Sequence, residues 1–266
     1  MKKTLSILLT AVLLIGMLAI SGCTKSSNED VEYILKKNTL VVGVIDAPPL
    51  TVLNDEGEWS GFAADLLRDF GKKLGVNIEF KEIEWNEMEH LLNDKTIDCV
   101  SSALTLTADR RAVMECTKAY LNNSQIVVTK ASRARRYTSA EDCLQLKFAV
   151  LDGSTHEELA KDNGFIIMAK DSTEDVLQAV SDGDADAAII NSIYATTAIG
   201  KGNQFEDLAR SFRLKDNKMG FAFRKGSALA EQMNNFIVTS YTSGQMKKLA
   251  AQYSVEKLLV EQVTEK

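Results

Sequence analysis

The segment SSALTLTADRR (101–111) sets four hydroxyl side chains, Ser101, Ser102, Thr105 and Thr107, ahead of two guanidinium groups, Arg110 and Arg111. It continues the apolar IDCV (97–100), so a buried strand gives way to a helix there. A guanidinium is a planar fork of donors that grips a carboxylate through two parallel hydrogen bonds, which the point charge of lysine does not. Arg110 is thus a candidate carboxylate clamp; a solvated helix arginine, the role expected of Arg111, is the bland alternative. Thr107 reads as the N-cap of a 108–116 helix. A second segment, LDGSTHEE (151–158), puts Ser154 and Thr155 where a strand ends and a helix begins, so free N–H groups and the helix dipole face outward. The pairs Ser154/Glu157 and Thr155/Glu158 also fit a capping box, and a plain helix cap explains them as well. Of the two histidines, His90 falls on an EMEHLL helix as a structural or exposed residue. His156 sits in the first turn beside the second segment, as a solvated helix residue or, in a catalytic cleft, a general acid. No nucleophile–base pair or metal-ligand spacing stands out, so neither a cofactor nor a metal is expected.

These groups must be carried by alternating strands and helices. TLVVGVID (39–46) is a buried strand, GFAADLLRDFGKKLG (61–75) a helix with apolar residues at helical spacing, and NIEFKEIEW (77–85) an alternating strand. EMEHLLNDKTIDCVSS adds a helix, a turn and a strand, and the pattern restarts at LKFAVLDGS (146–154). NDKTIDCV (93–100) and SDGDADAA (181–188) both follow an apolar helix and both carry Asp at their second and sixth places, a weak internal repeat. SQIVVTK (124–130) and MGFAFRK (219–225) read as two connections between lobes, after which two helices separated near Ser243–Gly244 return to the first. The expected fold is α/β, with two sheet-and-helix lobes joined by two hinge crossings around a cleft. Lobe 1 spans 39–127, lobe 2 spans 128–220, and 221–266 returns to lobe 1.

The start of the chain speaks to compartment. Lys2 and Lys3 precede an uncharged run to Gly22, which reads as a secretory signal over 1–22, with an uncleaved membrane anchor as the alternative. ISGC resembles the bacterial lipobox, which implies a lipidated Cys23 and stable anchoring. The stretch 23–38 then serves as lipidated cysteine and tether, TKSSNED being polar with nothing to pack. Without Lys2 and Lys3 there remain 29 basic and 37 acidic residues, a balance of −8 that argues against nucleic acid. Cys99, Cys116 and Cys143 have no paired spacing and are expected as three thiols, although a Cys99–Cys116 bridge is open in an exported chain.

Seven stretches in order, PPL (48–50), GFAADL (61–66), IEW (83–85), IDCVSSALTLTADRR (97–111), LDGSTHEE (151–158), DADAAIIN (184–191) and GFAFRKGS (220–227), carry a resemblance. Over Thr39 to Ser254 the chain resembles the bacterial extracellular solute-binding proteins, family 3, of polar amino-acid ABC transporters. The resemblance implies a type II periplasmic-binding-protein-like fold and an amino acid or analogue bound in the interlobe cleft. Its α-carboxylate would meet Arg110, the hydroxyl and N–H of Thr105 and the N–H of Thr155, and the Ala103 carbonyl would face its ammonium. Ser102 and Ser154 would line the same cleft. The family's acid for the ammonium is here Asn191, which brings no charge. Its aromatic before PP is Ala47, the following Phe is Leu50, and Ala63 replaces an acid. Asp46, and after it Asp152, are candidates for the missing charge, and Trp85 either walls the cleft or sits in the core. The resemblance implies a monomer that is anchored on the extracytoplasmic face by Cys23 and delivers its solute to an ABC permease, without catalysis. The alternatives are a cleft enzyme of the same fold, like a cyclohexadienyl or arogenate dehydratase, and a stand-alone solute sensor.

Overall fold

The structure, a computed structural model, describes residues 28–263. The 1–22 signal and the anchor at Cys23 lie outside the described residues. Helix α1 (Glu29–Lys37) corrects the expected tether over 23–38: Val31 and Ile34 form an apolar face buried in the core, and Asn38 ends the helix at φ 56°. Ion pairing also holds it. Arg224 donates through Nε to both carboxylate oxygens of Asp30 at 3.0 Å, and its Nη2 reaches the fully buried Asp98 at 3.0 Å.

The first lobe follows with β1 (Thr39–Val44), the short pair β2 (Val52–Leu53) and β3 (Trp59–Ser60), α2 (Phe62–Leu74) and β4 (Asn77–Glu82). After a single turn at Trp85–Glu87 come α3 (Met88–Asn93), β5 (Cys99–Val100), α4 (Ala108–Val113) and β6 (Met114–Cys116). Helix α4 is shorter than the expected 108–116 because the chain turns extended at Met114 (φ −123°, ψ 156°) to pair with a later strand. The chain then crosses along β7 (Leu121–Lys130) into β8 (Lys147–Leu151), α5 (Thr155–Asp162), β9 (Ile166–Lys170), α6 (Thr173–Asp182), β10 (Ala187–Asn191) and α7 (Ser192–Ala198). It returns along β11 (Leu208–Met219) to β12 (Ala222–Arg224), α8 (Leu229–Thr242) and α9 (Gln245–Gln252).

Two five-stranded sheets result, in the orders β4-β1-β5-β12-β6 and β11-β7-β10-β8-β9. In each, three neighbouring strands (β4-β1-β5 and β10-β8-β9) run parallel with the earliest in the middle, and the remaining two are joined on through antiparallel pairings. Open sheets of this order leave a crevice at the carboxyl ends of the strands, where the order reverses. The weak repeat is a shared device. Asp98 donates its N–H to the Val41 carbonyl (2.7 Å) and accepts from the Val41 N–H (2.9 Å), locking β5 to β1. Asp186 makes the same pair with Lys147 (2.9 and 3.1 Å), locking β10 to β8.

Helices α8 and α9 close over the first lobe, where Phe236 meets Phe70 at 5.6 Å between ring centres and the Tyr253 hydroxyl donates to Asp65. One apolar cluster runs from Trp85, Met88 and Val100 in the first lobe to Val128, Leu151 and Ile190 in the second, so the two lobes share a packed core next to the cleft. Cys99, Cys116 and Cys143 are free and buried. Among the described residues no helix is long and apolar enough to cross a membrane.

Candidate functional site

Every group that approaches the cleft does so from the carboxyl end of a strand. Ile45 and Ala47 follow β1, Ala103, Thr105 and Arg110 follow β5, Ser154 to His156 follow β8, and Asn191 ends β10. Together with Trp85, Leu151, Thr173 and Tyr194 they enclose a cavity of about 30 Å³. That is room for about one or two waters, so a solute of amino-acid size enters only when the lobes part.

Arg110 is the charged centre. Thr107 caps α4 by accepting the Arg110 N–H at 3.1 Å, which starts the helix and turns the side chain inward. Nη1 donates to the Thr105 carbonyl at 2.9 Å, and the guanidinium lies 5.7 Å from the Trp85 ring centre. Arg110 is only 7% exposed, and burial lowers its pKa while the Glu158 charge opposes the shift. A guanidinium stays protonated under such a shift. The result is a desolvated cation with donor capacity left over. Arg111, by contrast, is exposed and donates to the Cys116 and Thr117 carbonyls.

The second lobe adds the start of α5. The Ser154 hydroxyl donates to the Leu151 carbonyl (2.6 Å) and accepts the His156 and Glu157 N–H groups (3.1 and 3.4 Å). That is the cap read from sequence, with its hydroxyl fully occupied. Thr155 accepts from Gln125 Nε2 at 2.7 Å, while its own N–H, in the unpaired first turn, remains for an anion.

Six of the residues expected to contact the solute thus line one cavity: Arg110, Thr105, Ala103, Ser154, Thr155 and Asn191. Ser102 does not join them. It is fully buried at φ 69°, and its hydroxyl exchanges hydrogen bonds with Ile45 and accepts one from Thr51, which ties β5 to the turn after β1. Asp46 lies outside the cavity, at the mouth, in a chamber of about 670 Å³ that also holds Glu82, Glu84, Glu87, Asp171, Glu174 and Lys81. Partial burial raises its carboxyl pKa, with Glu174 and Glu82 adding to the rise. Asp152 bridges the lobes by accepting from Asn86 Nδ2 at 2.6 Å. Trp85 is both wall and core.

His156 overturns the expectation of a solvated residue: it is 5% exposed, lines the cavity, and neither ring nitrogen has a hydrogen-bond partner among the described residues. Its pKa is pushed down to about 4, chiefly by burial, with Asn191 opposing and the Arg110 charge adding to the fall. The ring is therefore neutral at pH 7. Unfolding restores the ordinary value of 6.5, so the unfolded chain binds the extra proton and stability falls as pH drops from 6.5 towards 4. The loss is on the order of 3 kcal/mol by pH 4. We expect His156→Gln to reduce this acid sensitivity, measured as urea-unfolding free energies at pH 7.5 and pH 4.5. Equal pH slopes in both proteins would refute the assignment.

With this geometry in hand, likeness to known proteins acquires meaning. The sequence profile of the bacterial extracellular solute-binding proteins, family 3, matches residues 40–256. The chain belongs to that family. A probable amino-acid ABC transporter-binding protein of Haemophilus influenzae is 28% identical over 256 residues, covering 95% of this chain and 97% of that protein. The arginine-binding extracellular protein ArtP of Bacillus subtilis is 27% identical, covering 94% and 96%. The crystal structure of an ancestral amino acid-binding protein, a precursor of cyclohexadienyl dehydratase, matches with a TM-score of 0.75 and 27% identity over 84% of this chain and 98% of that one. This family 3 protein thus has the two-lobed type II periplasmic-binding fold, and Arg110 lines a cavity to which both lobes contribute.

Proposed function

We propose that this protein captures a small carboxylate-bearing solute, an amino acid or a close analogue, between its lobes and hands it to an ABC permease. The single observation that carries the reading is the desolvated Arg110 guanidinium, which shares one interlobe cavity with the free Thr155 N–H. A carboxylate touching both lobes at once stabilises the closed form over the open one, because each lobe supplies contacts that exist only on closure. The name of a full-length relative, a probable amino-acid ABC transporter-binding protein, supports delivery to a permease. Lipidation of Cys23 would hold the protein, as a monomer, at the extracytoplasmic membrane face.

A binding role needs no proton transfer, and a histidine titrating near pH 4 is poorly suited to donate a proton at neutral pH. Kinship with a dehydratase precursor keeps an enzymatic reading worth testing. A thermal-shift screen of amino acids and other small carboxylates is expected to give a saturable rise in midpoint for at least one compound. No rise with any carboxylate would sink the proposal, and turnover of prephenate or arogenate would replace it with catalysis.

A further inference from the structure

Two of the donors facing the cavity, Thr105 and Asn191, are oriented by one hydrogen-bond relay through the hinge. Its origin is unambiguous: the Ile193 backbone N–H can only donate, and it donates to Asn123 Oδ1 at 3.2 Å. That fixes the Asn123 amide, whose Nδ2 then donates to Asn191 Oδ1 at 2.6 Å and to Asn217 Oδ1 at 3.0 Å. Two further orientations follow. Asn217 Nδ2 donates to Thr105 Oγ1 at 3.1 Å, so the Thr105 hydroxyl keeps its own proton for another acceptor. Asn191 has its oxygen against Asn123, so its Nδ2 is left to the cavity it lines and to the adjacent His156 ring.

The enclosed cavity is therefore rich in donors: the Arg110 guanidinium, the Thr105 hydroxyl, the Thr155 N–H and the Asn191 amide. No carboxylate is among the residues lining it. An ammonium next to the bound carboxylate would be desolvated beside a guanidinium and an amide donor, with the Ala103 carbonyl and the acceptor nitrogen of neutral His156 as partial compensation and no counter-charge among the lining residues. An oxygen in the same place would accept from these donors. We infer that the preferred solute carries a hydroxyl or oxo oxygen, and not an ammonium, on the carbon next to its carboxylate. The inference rests on the proposed carboxylate site and sharpens it to 2-hydroxy and 2-oxo acids.

The test is calorimetric titration of the purified protein with matched sets that differ at that one carbon: alanine, lactate and pyruvate; leucine and its hydroxy and oxo counterparts; phenylalanine, phenyllactate and phenylpyruvate; glutamate, 2-hydroxyglutarate and 2-oxoglutarate. In the set that binds, the hydroxy or oxo acid is expected to bind about tenfold or more tightly than the amino acid, a difference of one well-made hydrogen bond to an ionised site. Asn191→Asp, which still accepts from Asn123 but adds a negative charge, is expected to invert that order. An amino acid that binds wild type more tightly than both counterparts overturns the inference and leaves the carboxylate site standing. Absence of binding in every set overturns the site as well. Should Asn191→Asp fail to fold, the wild-type ranking alone decides.

Discussion

Arg110→Ala lowers solute affinity by about 30- to 5,000-fold, the 2–5 kcal/mol cost of truncating one partner of a buried, hydrogen-bonded charge pair. The loss is large because the carboxylate leaves water for a site whose counter-charge has gone, while Thr105 and Thr155 supply only neutral donors. Stability should scarcely change. The folded protein loses one charge-assisted hydrogen bond to the Thr105 carbonyl, worth about 1.5–3 kcal/mol, and against that is relieved of a desolvated cation. Arg110→Lys separates charge from shape: it keeps the cation, loses the fork, and should bind between the alanine variant and wild type. Calorimetry with a solute found by the thermal-shift screen measures affinity, and circular dichroism melting measures stability. Unchanged affinity in the alanine variant would remove Arg110 from the site.

Gly153→Ala is expected to weaken binding by roughly 5- to 150-fold through a different cause, the 1–3 kcal/mol penalty of forcing a methyl group into a packed contact. Gly153 has φ +61°, and a Cβ there would stand 2.6 Å from Asn86 Cβ and 2.8 Å from Asn86 Cα, across the cleft. Backbone cannot yield as the tip of a flexible side chain does. The methyl group fits once the lobes separate, so the substitution favours the open form and the solute must work against that bias. Small-angle scattering should find the variant more extended than wild type at equal solute concentration. Left-handed backbone adds a separate cost of about 1–2 kcal/mol to the fold, visible as a lower melting temperature without solute. Wild-type affinity in Gly153→Ala would mean that binding does not require the approach of Asn86 to Gly153.

Much of the architecture was legible in local patterns. Parallel strands β1, β5, β8 and β10 are short β-branched or apolar runs ended by turn residues, and the helices after them show apolar spacing or a cap. Elements with mixed exposure were harder to read. Strand β11 alternates between half-buried and exposed positions, with register shifts between Arg210 and Lys215, so its polar sequence carried no strand signal. Helix α1 looked like tether because its apolar face is narrow, two buried residues in nine. Helix α7 follows β10 without a break, and with it the sequence reading missed Tyr194, whose pKa is pushed up to about 12 by burial and by the charges of Asp46 and Glu174.

Sequence by itself determined the two caps that place the candidate groups: Thr107 three residues before Arg110, and Ser154 before the first turn of α5. Both depend on contacts within one helical turn, which residue order dictates directly. Tertiary structure determined which polar groups remain available to a solute. Ser102 was taken out of the site by Ile45, 57 residues away, and Asn191 was turned donor-side inward by Asn123, 68 residues away. His156 is shut off from solvent in a cavity lined by residues of both lobes. A side chain's hydrogen-bonding capacity is a property of its type, but what is left of it in the fold depends on partners brought together only by packing.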